Sequence, residues 1–307
     1  MTAVITLTTD FGTRDPYVAE MKAVILRLNP AVCLVDVTHD IAAHDVVEGG
    51  LAVEAIATVC PPGTIHVAVV DPGVGTSRRG LVVTAGGQVF VGPDNGIFTP
   101  VLSRPGWEAF ELRAAEYRLR TVSATFHGRD VFGPAAAHLA RGLEPERLGP
   151  PVRDPVRLGW ASAREVGGGV EGEVIHVDRF GNLITSIGAH SVERLVARRE
   201  GDVAVGIAGR RMPLVRTYGD LAVGGAGALV GSGGRLEVVI REGSAAARLR
   251  VGRGSMVRLQ IQARTTRGGV ARGSARGRIP LAQRRSAPPT SVSRSTRTSR
   301  ASGRRRS

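Results

Sequence analysis

The sequence predicts a two-part α/β protein: an N-terminal α/β domain with a mostly parallel sheet, then a smaller C-terminal β-barrel or sandwich. Three observations carry this. Apolar runs alternate with helix-period segments through the first half of the chain. TIHVAVVD (64–71) is almost continuously apolar, as a strand covered on both faces must be. From Gly172 onward the pattern changes to short strands separated by glycine turns.

Taken in order, AVITLTTD (3–10) is a strand that ends in an acid. Asp15-Pro16 is expected to start a helix, with Asp15 as its cap and Pro16 at the first helical position. Val18, Met21, Ile25 and Leu28 continue it at helical spacing until Asn29-Pro30. CLVDV (33–37) is a second strand, and 46–59 a second helix stopped by Pro61-Pro62-Gly63. TIHVAVVD again ends in an acid, before the tight PGVG turn. LVVTA (81–85) and VFVG (89–92) flank Gly86-Gly87 as a hairpin. VFGPAAAHLARG (131–142) is a short helix ending at a glycine. The aperiodic stretch 149–169 is the connection. EVIHV, LITSI, DVAVGIAG, GALVGS, RLEVVI and MVRLQI follow as strands. The expected division is 1–152, a linker over 153–170, a barrel over 171–263 and a disordered basic tail over 264–307.

The net charge of +14 is misleading as a whole-chain figure. Of the 41 basic residues, 13 are arginines in 264–307, a segment with no Asp or Glu. That leaves 28 basic against 27 acidic residues before it, so the body is nearly neutral. The tail is too poor in apolar residues to order itself. It could neutralise phosphates without sequence preference, but it has no aromatic residue for stacking on bases. No apolar run reaches the length of a membrane span, and the N-terminus lacks the pattern of a signal peptide. The two cysteines, Cys33 and Cys60, are expected among apolar neighbours and do not suggest a disulfide scaffold. A cytoplasmic protein is expected.

Ligands of open parallel sheets sit beyond the carboxyl ends of strands, where this chain places Asp10 and Asp71. Asp10 could bind a ribose diol or simply cap a turn. Seven residues after Asp71 comes Arg78, followed by Arg79. An arginine returning over PGVG would hold the carboxylate ionised, or form an ordinary structural pair. TFHGRDVF (125–132) gathers His127, Arg129 and Asp130 before a helix. Asp178 and Asn182 flank Phe180-Gly181, where Asn182 could read an adenine edge or make an Asx turn. His39-Asp40 and His44-Asp45 form a cluster that could bind a divalent ion or merely border a loop.

Together, TTDFGTRDPYV, VDVTHDI, VVDPGVGTSRR, VGPDNGIFTPVL, TFHGRD and DRFGNLITSI stand in the order and spacing of one family. Over residues 3–262 the chain resembles the S-adenosyl-L-methionine hydroxide adenosyltransferases, or adenosine-forming SAM hydrolases, which are relatives of the fluorinase and chlorinase. The resemblance implies hydrolysis of S-adenosyl-L-methionine to adenosine and L-methionine, with no metal or organic cofactor. It implies a homotrimer with each active site between the N-domain of one subunit and the C-domain of the next. Asp71, Arg78 and His127 match the set that holds the reacting water, with Asp71 or His127 as base and Arg78 stabilising hydroxide-like charge. Asp10 matches the ribose-binding acid. Asp15, Asn95, Asp178, Asn182, Tyr218 and Ser232 fall on substrate-binding positions. Gly128 stands where the halogenating relatives carry serine, and those relatives lack His127 and have an extra loop that 102–121 cannot hold. This points to the water-using branch. Arg241 replaces a usual asparagine and is expected to alter the methionine pocket.

Overall fold

The computed structural model describes residues 2–159, 162–197 and 202–262. The segment 264–307, with its expected disorder and phosphate binding, lies outside the described residues.

The first sheet is built from β1 (Val4–Thr9), β2 (Cys33–Thr38), β3 (Ile65–Val69), β4 (Gly80–Ala85), β5 (Gln88–Pro93) and β6 (Glu108–Glu111). Their spatial order is β2-β1-β3-β5-β4-β6. The first four run parallel, and β4 is reversed against both β5 and β6. Helices α1 (Tyr17–Leu28) and α4 (Gly133–Leu139) share one apolar cluster with the sheet. Helices α2 (Val46–Val59) and α3 (Thr99–Leu102) share another. Both faces are therefore covered, and every residue of β3 is buried, as its continuous apolar run requires.

Between β4 and β5, Gly86 (φ 59°) and Gly87 (φ 74°) make the two-residue turn that demands positive φ at both positions. Two local expectations are corrected. Asp15 does not cap α1. Pro16, with φ −76° and ψ 2°, occupies the cap position, and no side chain caps the helix. Cys33 is exposed rather than set in an apolar environment, because β2 is the edge strand; Cys60 is half-buried.

The second sheet comprises β7 (Arg164–Val166), β8 (Gly169–Val177), β9 (Leu183–Gly188), β10 (Asp202–Ile207), β11 (Arg210–Pro213), β12 (Ala226–Val230), β13 (Arg235–Ile240) and β14 (Met256–Gln262). The order is β11-β10-β14-β8-β9-β13-β12, and β7 adds to β8. A bridge from Leu214 to Ala228 brings the chain after β11 against β12, so the sheet nearly closes into a barrel. Helices α5 (Ala189–Ala197) and α6 (Ala245–Leu249) pack on its core. The aperiodic stretch 149–169 thus contains a strand, β7, too short to show a period. Arg235 pairs with Glu54 of α2 at 2.6 Å and Arg253 with Asp45, tying the second sheet to the first. Among the described residues no helix is long and apolar enough to cross a membrane.

One buried group gives this core a pH dependence. His66 on β3 is 1% exposed and stacks on Phe90 at 4.8 Å. Its Nδ1 bonds the Thr6 hydroxyl at 2.8 Å, and no hydrogen bond reaches Nε2. Burial pushes its pKa from 6.5 down to about 4. The unfolded chain therefore takes up a proton that the folded chain refuses. The stabilising contribution is complete above about pH 6.5 and is lost as pH falls toward 4, by up to about 3 kcal/mol. Urea unfolding at pH 7 and pH 4.5 should show this loss, and His66→Gln should flatten it. A variant with the same pH dependence would assign the loss to another group.

Candidate active site

Asp10 follows β1 directly, and Asp71 lies just past β3. The two strands are parallel neighbours, so both acids emerge at one edge of the sheet. There they border a cavity of about 280 Å³. Phe11, Tyr17 and Phe126 form its apolar wall, packed edge to face with centroids 5.4–6.1 Å apart. His127 and Gly128 also line it. Asp10 Oδ2 accepts the backbone N–H of His44 at 2.9 Å. His44 itself is held at φ 68°, a left-handed conformation uncommon for a residue with a side chain. One carboxylate oxygen of Asp10 is thereby fixed by the protein, and the other can accept from a ligand.

Asp71 and Arg78 form a fork. Arg78 Nε donates to Oδ1 at 3.0 Å and Oδ2 at 3.1 Å, and Nη2 donates to Oδ2 at 2.6 Å. Their side chains are 5% and 11% exposed. Nη2 also donates to His127 Nδ1 at 2.8 Å, and Nη1 to the carbonyl of Arg79 at 3.0 Å. Arginine cannot accept a hydrogen bond, so Nδ1 of His127 must be the acceptor. The neutral ring then carries its hydrogen on Nε2. Burial, followed by the charge of Arg78, pushes the His127 pKa below its ordinary value.

The choice between neighbouring arginines is resolved by geometry. Arg79 turns away to Asp94 (2.6 Å) and Asp154 (2.9 Å). Arg78, however, does not line the Asp10 cavity. It lies behind Asp71 and His127, against a second and more polar cavity of about 230 Å³, with its guanidinium 5.2 Å over the Phe132 ring. It can position the two groups that face a ligand.

The loop carrying His127 is anchored by a fully buried carboxylate. Asp130 accepts from Arg129 Nε at 2.6 Å and Nη2 at 3.0 Å, and from Ser123 N at 2.8 Å. Arg129 reaches on to Glu20 of α1 at 2.7 Å. At Gly128 a Cβ would sit 3.0 Å from Met21 Sδ and 3.4 Å from the Phe11 ring.

A third cavity, of about 550 Å³, opens on the second sheet. Asn182, Tyr218, Phe180 and Ser244 line it. Asn182 Nδ2 donates to Tyr218 Oη at 3.3 Å. Phe180 is 76% exposed at its rim. This cavity shares no lining residue with the Asp10 cavity.

Several expected residues lie outside these cavity linings or bond within the protein. Asp178 does not line the third cavity. Its carboxylate accepts from the N–H groups of Phe180 (2.9 Å) and Asn182 (2.8 Å) and from Asn182 Nδ2 (2.9 Å), an Asx turn that aims Asn182. Asn95 donates to the carbonyl of Val70 at 2.7 Å and accepts from Ile97 N at 3.2 Å, so it is engaged by backbone. Asp15 and Ser232 are exposed and line neither ligand cavity. Arg241 donates to the carbonyl of Leu221 at 2.8 Å and pairs at 3.6 Å with Glu242, which lines the third cavity. The His/Asp cluster is consumed locally. His39 bonds Thr9 Oγ1 at 2.8 Å and Asp36 at 3.0 Å, while Asp45 caps α2 and pairs with Arg253. No group of three or more His, Cys, Asp or Glu among the described residues is arranged to hold a metal ion. Sequence reasoning missed Phe11, Tyr17, Phe126 and Phe180, and read His44 only as part of the His/Asp cluster. The first four stand within one to seven residues of motif acids, and that adjacency was the available signal.

The family model described as the SAM hydroxide adenosyltransferase N-terminal domain matches residues 5–149, and the model for the C-terminal domain of the same family matches residues 172–258. A protein of Thermus thermophilus named (R)-S-adenosyl-L-methionine hydrolase is 44% identical over 260 residues, covering 81% of this chain and 96% of that one. A fluorinase of Actinoplanes is more distant, at 27% identity over 71% of this chain and 83% of its own length. The crystal structure of an uncharacterized conserved protein from Thermotoga maritima superposes with a TM-score of 0.77 at 33% identity, covering 85% of this chain and all of that one.

Followed by NMR, the His127 imidazole should take up its proton only below its ordinary pKa. Arg78→Met removes a neighbouring positive charge and leaves Asp71 unpaired, so it should move the titration upward. An unmoved titration would mean that Arg78 does not control this ring.

Proposed function

The chain belongs to the SAM hydroxide adenosyltransferase family, and we propose that it hydrolyses S-adenosyl-L-methionine to adenosine and L-methionine by in-line attack of water on the ribose 5′ carbon. The observation that carries the chemistry is the hydrogen-bonded chain Asp71–Arg78–His127, two of whose members share a cavity with Asp10.

The sulfonium is already a good leaving group, so the protein need not protonate it. It must align a water with the 5′ carbon and keep other water out. In this reading the free oxygen of Asp10 takes the ribose diol, and the Phe11, Tyr17 and Phe126 wall excludes solvent. The water oxygen bonds to the 5′ carbon as the carbon–sulfur bond breaks. The bonding pair passes to sulfur, giving the neutral thioether of methionine. The proton shed by the attacking oxygen goes to Asp71. His127 is not the base while its Nδ1 accepts from Arg78, because its Nε2 already holds hydrogen. It donates to the water instead and orients a lone pair toward carbon. Arg78 positions both groups from behind.

The site is completed by a second copy of the chain. The Asp10 cavity and the Asn182–Tyr218 cavity are separate within one chain, and Tyr17 (46% exposed) and Phe180 (76% exposed) stand at their rims. We assign Asn182 and Tyr218 to the adenine or amino-acid part of the substrate bound by a neighbouring subunit, in a homotrimer. The cytoplasm is the proposed location.

Incubation with S-adenosyl-L-methionine, with and without chelator and halide, should give adenosine and methionine in equal amounts in every case. A halogenated adenosine would move the chain to halogen chemistry, and loss of turnover with chelator would restore a metal-dependent reading. Asp71→Asn should lower kcat by about 100-fold or more, with little effect on KM. Co-refolding Asp71→Asn with Tyr218→Ala, each impaired alone, should restore part of the activity. Failure to restore any would place both cavities in the service of one chain.

A further inference from the structure

We infer that the corner Asp94–Asn95 is the element that positions the reacting set. The inference rests on the hydrolase reading of the site. It starts from strand order. Chain runs from β3 to β4, but β5 lies between them in the sheet. The loop 70–79, which carries Asp71 and Arg78, must therefore stride across the carboxyl end of β5. That end is Pro93, followed by Asp94 and Asn95.

The corner holds the loop at both ends. Asn95 Nδ2 donates at 2.7 Å to the carbonyl of Val70, the residue before Asp71. Asp94 N donates at 2.9 Å to the carbonyl of Arg79, the residue after Arg78. The Asp94 carboxylate, 2% exposed, accepts from Arg79 Nε at 2.7 Å and Nη2 at 2.6 Å. The same Arg79 carbonyl accepts Arg78 Nη1 at 3.0 Å. Asp94 thus fixes the atom against which the Arg78 guanidinium is braced. The connection seals the arrangement: Val156 N donates to Asp94 Oδ1 at 2.8 Å, and Arg79 forks onto Asp154 through its carboxylate and its carbonyl, both at 2.9 Å. A chain of bonds runs from the connection through Asp94 and Arg79 to Arg78, and from there to Asp71 and His127. Asp94, Asn95 and Arg79 touch no part of the Asp10 cavity and are positioning residues.

The test is Asp94→Asn. It keeps the shape, the main-chain bond and the acceptor for Val156, and removes the charge that holds Arg79. Since a misplacement of about 1 Å can cost on the order of 100-fold, kcat should fall about 10-fold or more while KM for S-adenosyl-L-methionine stays within a few-fold. In an Asp71→Asn background the same change should cost nothing further. The 15N signal of His127 Nδ1, assigned with His127→Gln, should shift as Arg78 loosens. A lowered melting temperature with unchanged kcat would overturn the inference, as would a fall in kcat with an unmoved His127 signal. If Asp94→Asn does not fold, Arg79→Gln carries the same test on a side chain that is 29% exposed. Should the wild-type protein not turn over S-adenosyl-L-methionine, the functional reading fails, and the His127 signal alone decides the positioning.

Discussion

The Asp71–Arg78 pair is the constraint on which the rest of the site depends. Two charges with side chains only 5% and 11% exposed pay heavily for lost water. The pair is tolerable only if its geometry is good and its remaining donors find partners. All three guanidinium nitrogens of Arg78 do: Nε on both carboxylate oxygens, Nη2 on Asp71 and His127, and Nη1 on a carbonyl. Satisfying Arg78 in this way decides the tautomer of His127. That tautomer in turn decides which cavity-facing group can take a proton and which can give a hydrogen bond. The assignment of roles follows from electrostatic satisfaction.

Topology explains why the pair can exist. Parallel strands deliver Asp10 and Asp71 to one edge, as doubly covered sheets generally do. The reversed strand β4 is what brings Arg78 back. Because β4 returns on the far side of β5, the intervening loop is wide enough to enclose a side-chain fork and is supported from below by the end of β5. Without the β5 corner this would be a ten-residue surface loop, and such loops do not hold a buried ion pair unaided. The second sheet contributes by anchoring. Arg253 pairs with Asp45, the residue after His44, whose amide holds Asp10.

Features that rest on local chemistry were legible in the sequence. The continuous run of β3, the 46–59 helix and the diglycine hairpin each follow from period and φ preference, and the structure has all three. The seven-residue step from Asp71 to Arg78 was also legible, because a glycine-rich turn of that length closes naturally. Features that depend on which way a polar side chain turns were not. Asn95 and Asp178 look like ligand contacts in a motif. Here each bonds neighbouring groups of the protein, which sequence reasoning cannot see. Arg78 and Arg79 are adjacent, yet they part to opposite partners because Asp94 lies on one side and Asp71 on the other. Helix α5 escaped notice because only Val192 and Leu195 are buried along it.

Gly128 ties the wall of the Asp10 cavity to the core. The backbone at 128 packs so closely that a Cβ would lie 3.0 Å from Met21 Sδ, and Met21 is fully buried on α1 within the cluster that unites α1, α4 and the sheet. A side chain at 128 therefore asks Met21 Sδ, near the end of a flexible side chain, to give by a few tenths of an ångström. The same position borders Phe11, a member of the cavity's apolar wall, at 3.4 Å. Exchanging the residue at 128 would alter the cavity wall at Phe11 and the contact with Met21 of α1 together. The resemblance to halogenating relatives places a serine here, beside the loss of the histidine at 127. In this scaffold each change touches further contacts. Removing His127 unpairs a donor of Arg78, and adding a Cβ at 128 presses on the helix that Arg129 braces through Glu20. Positions 127 and 128 are thus coupled to the Arg78 network on one side and to α1 on the other.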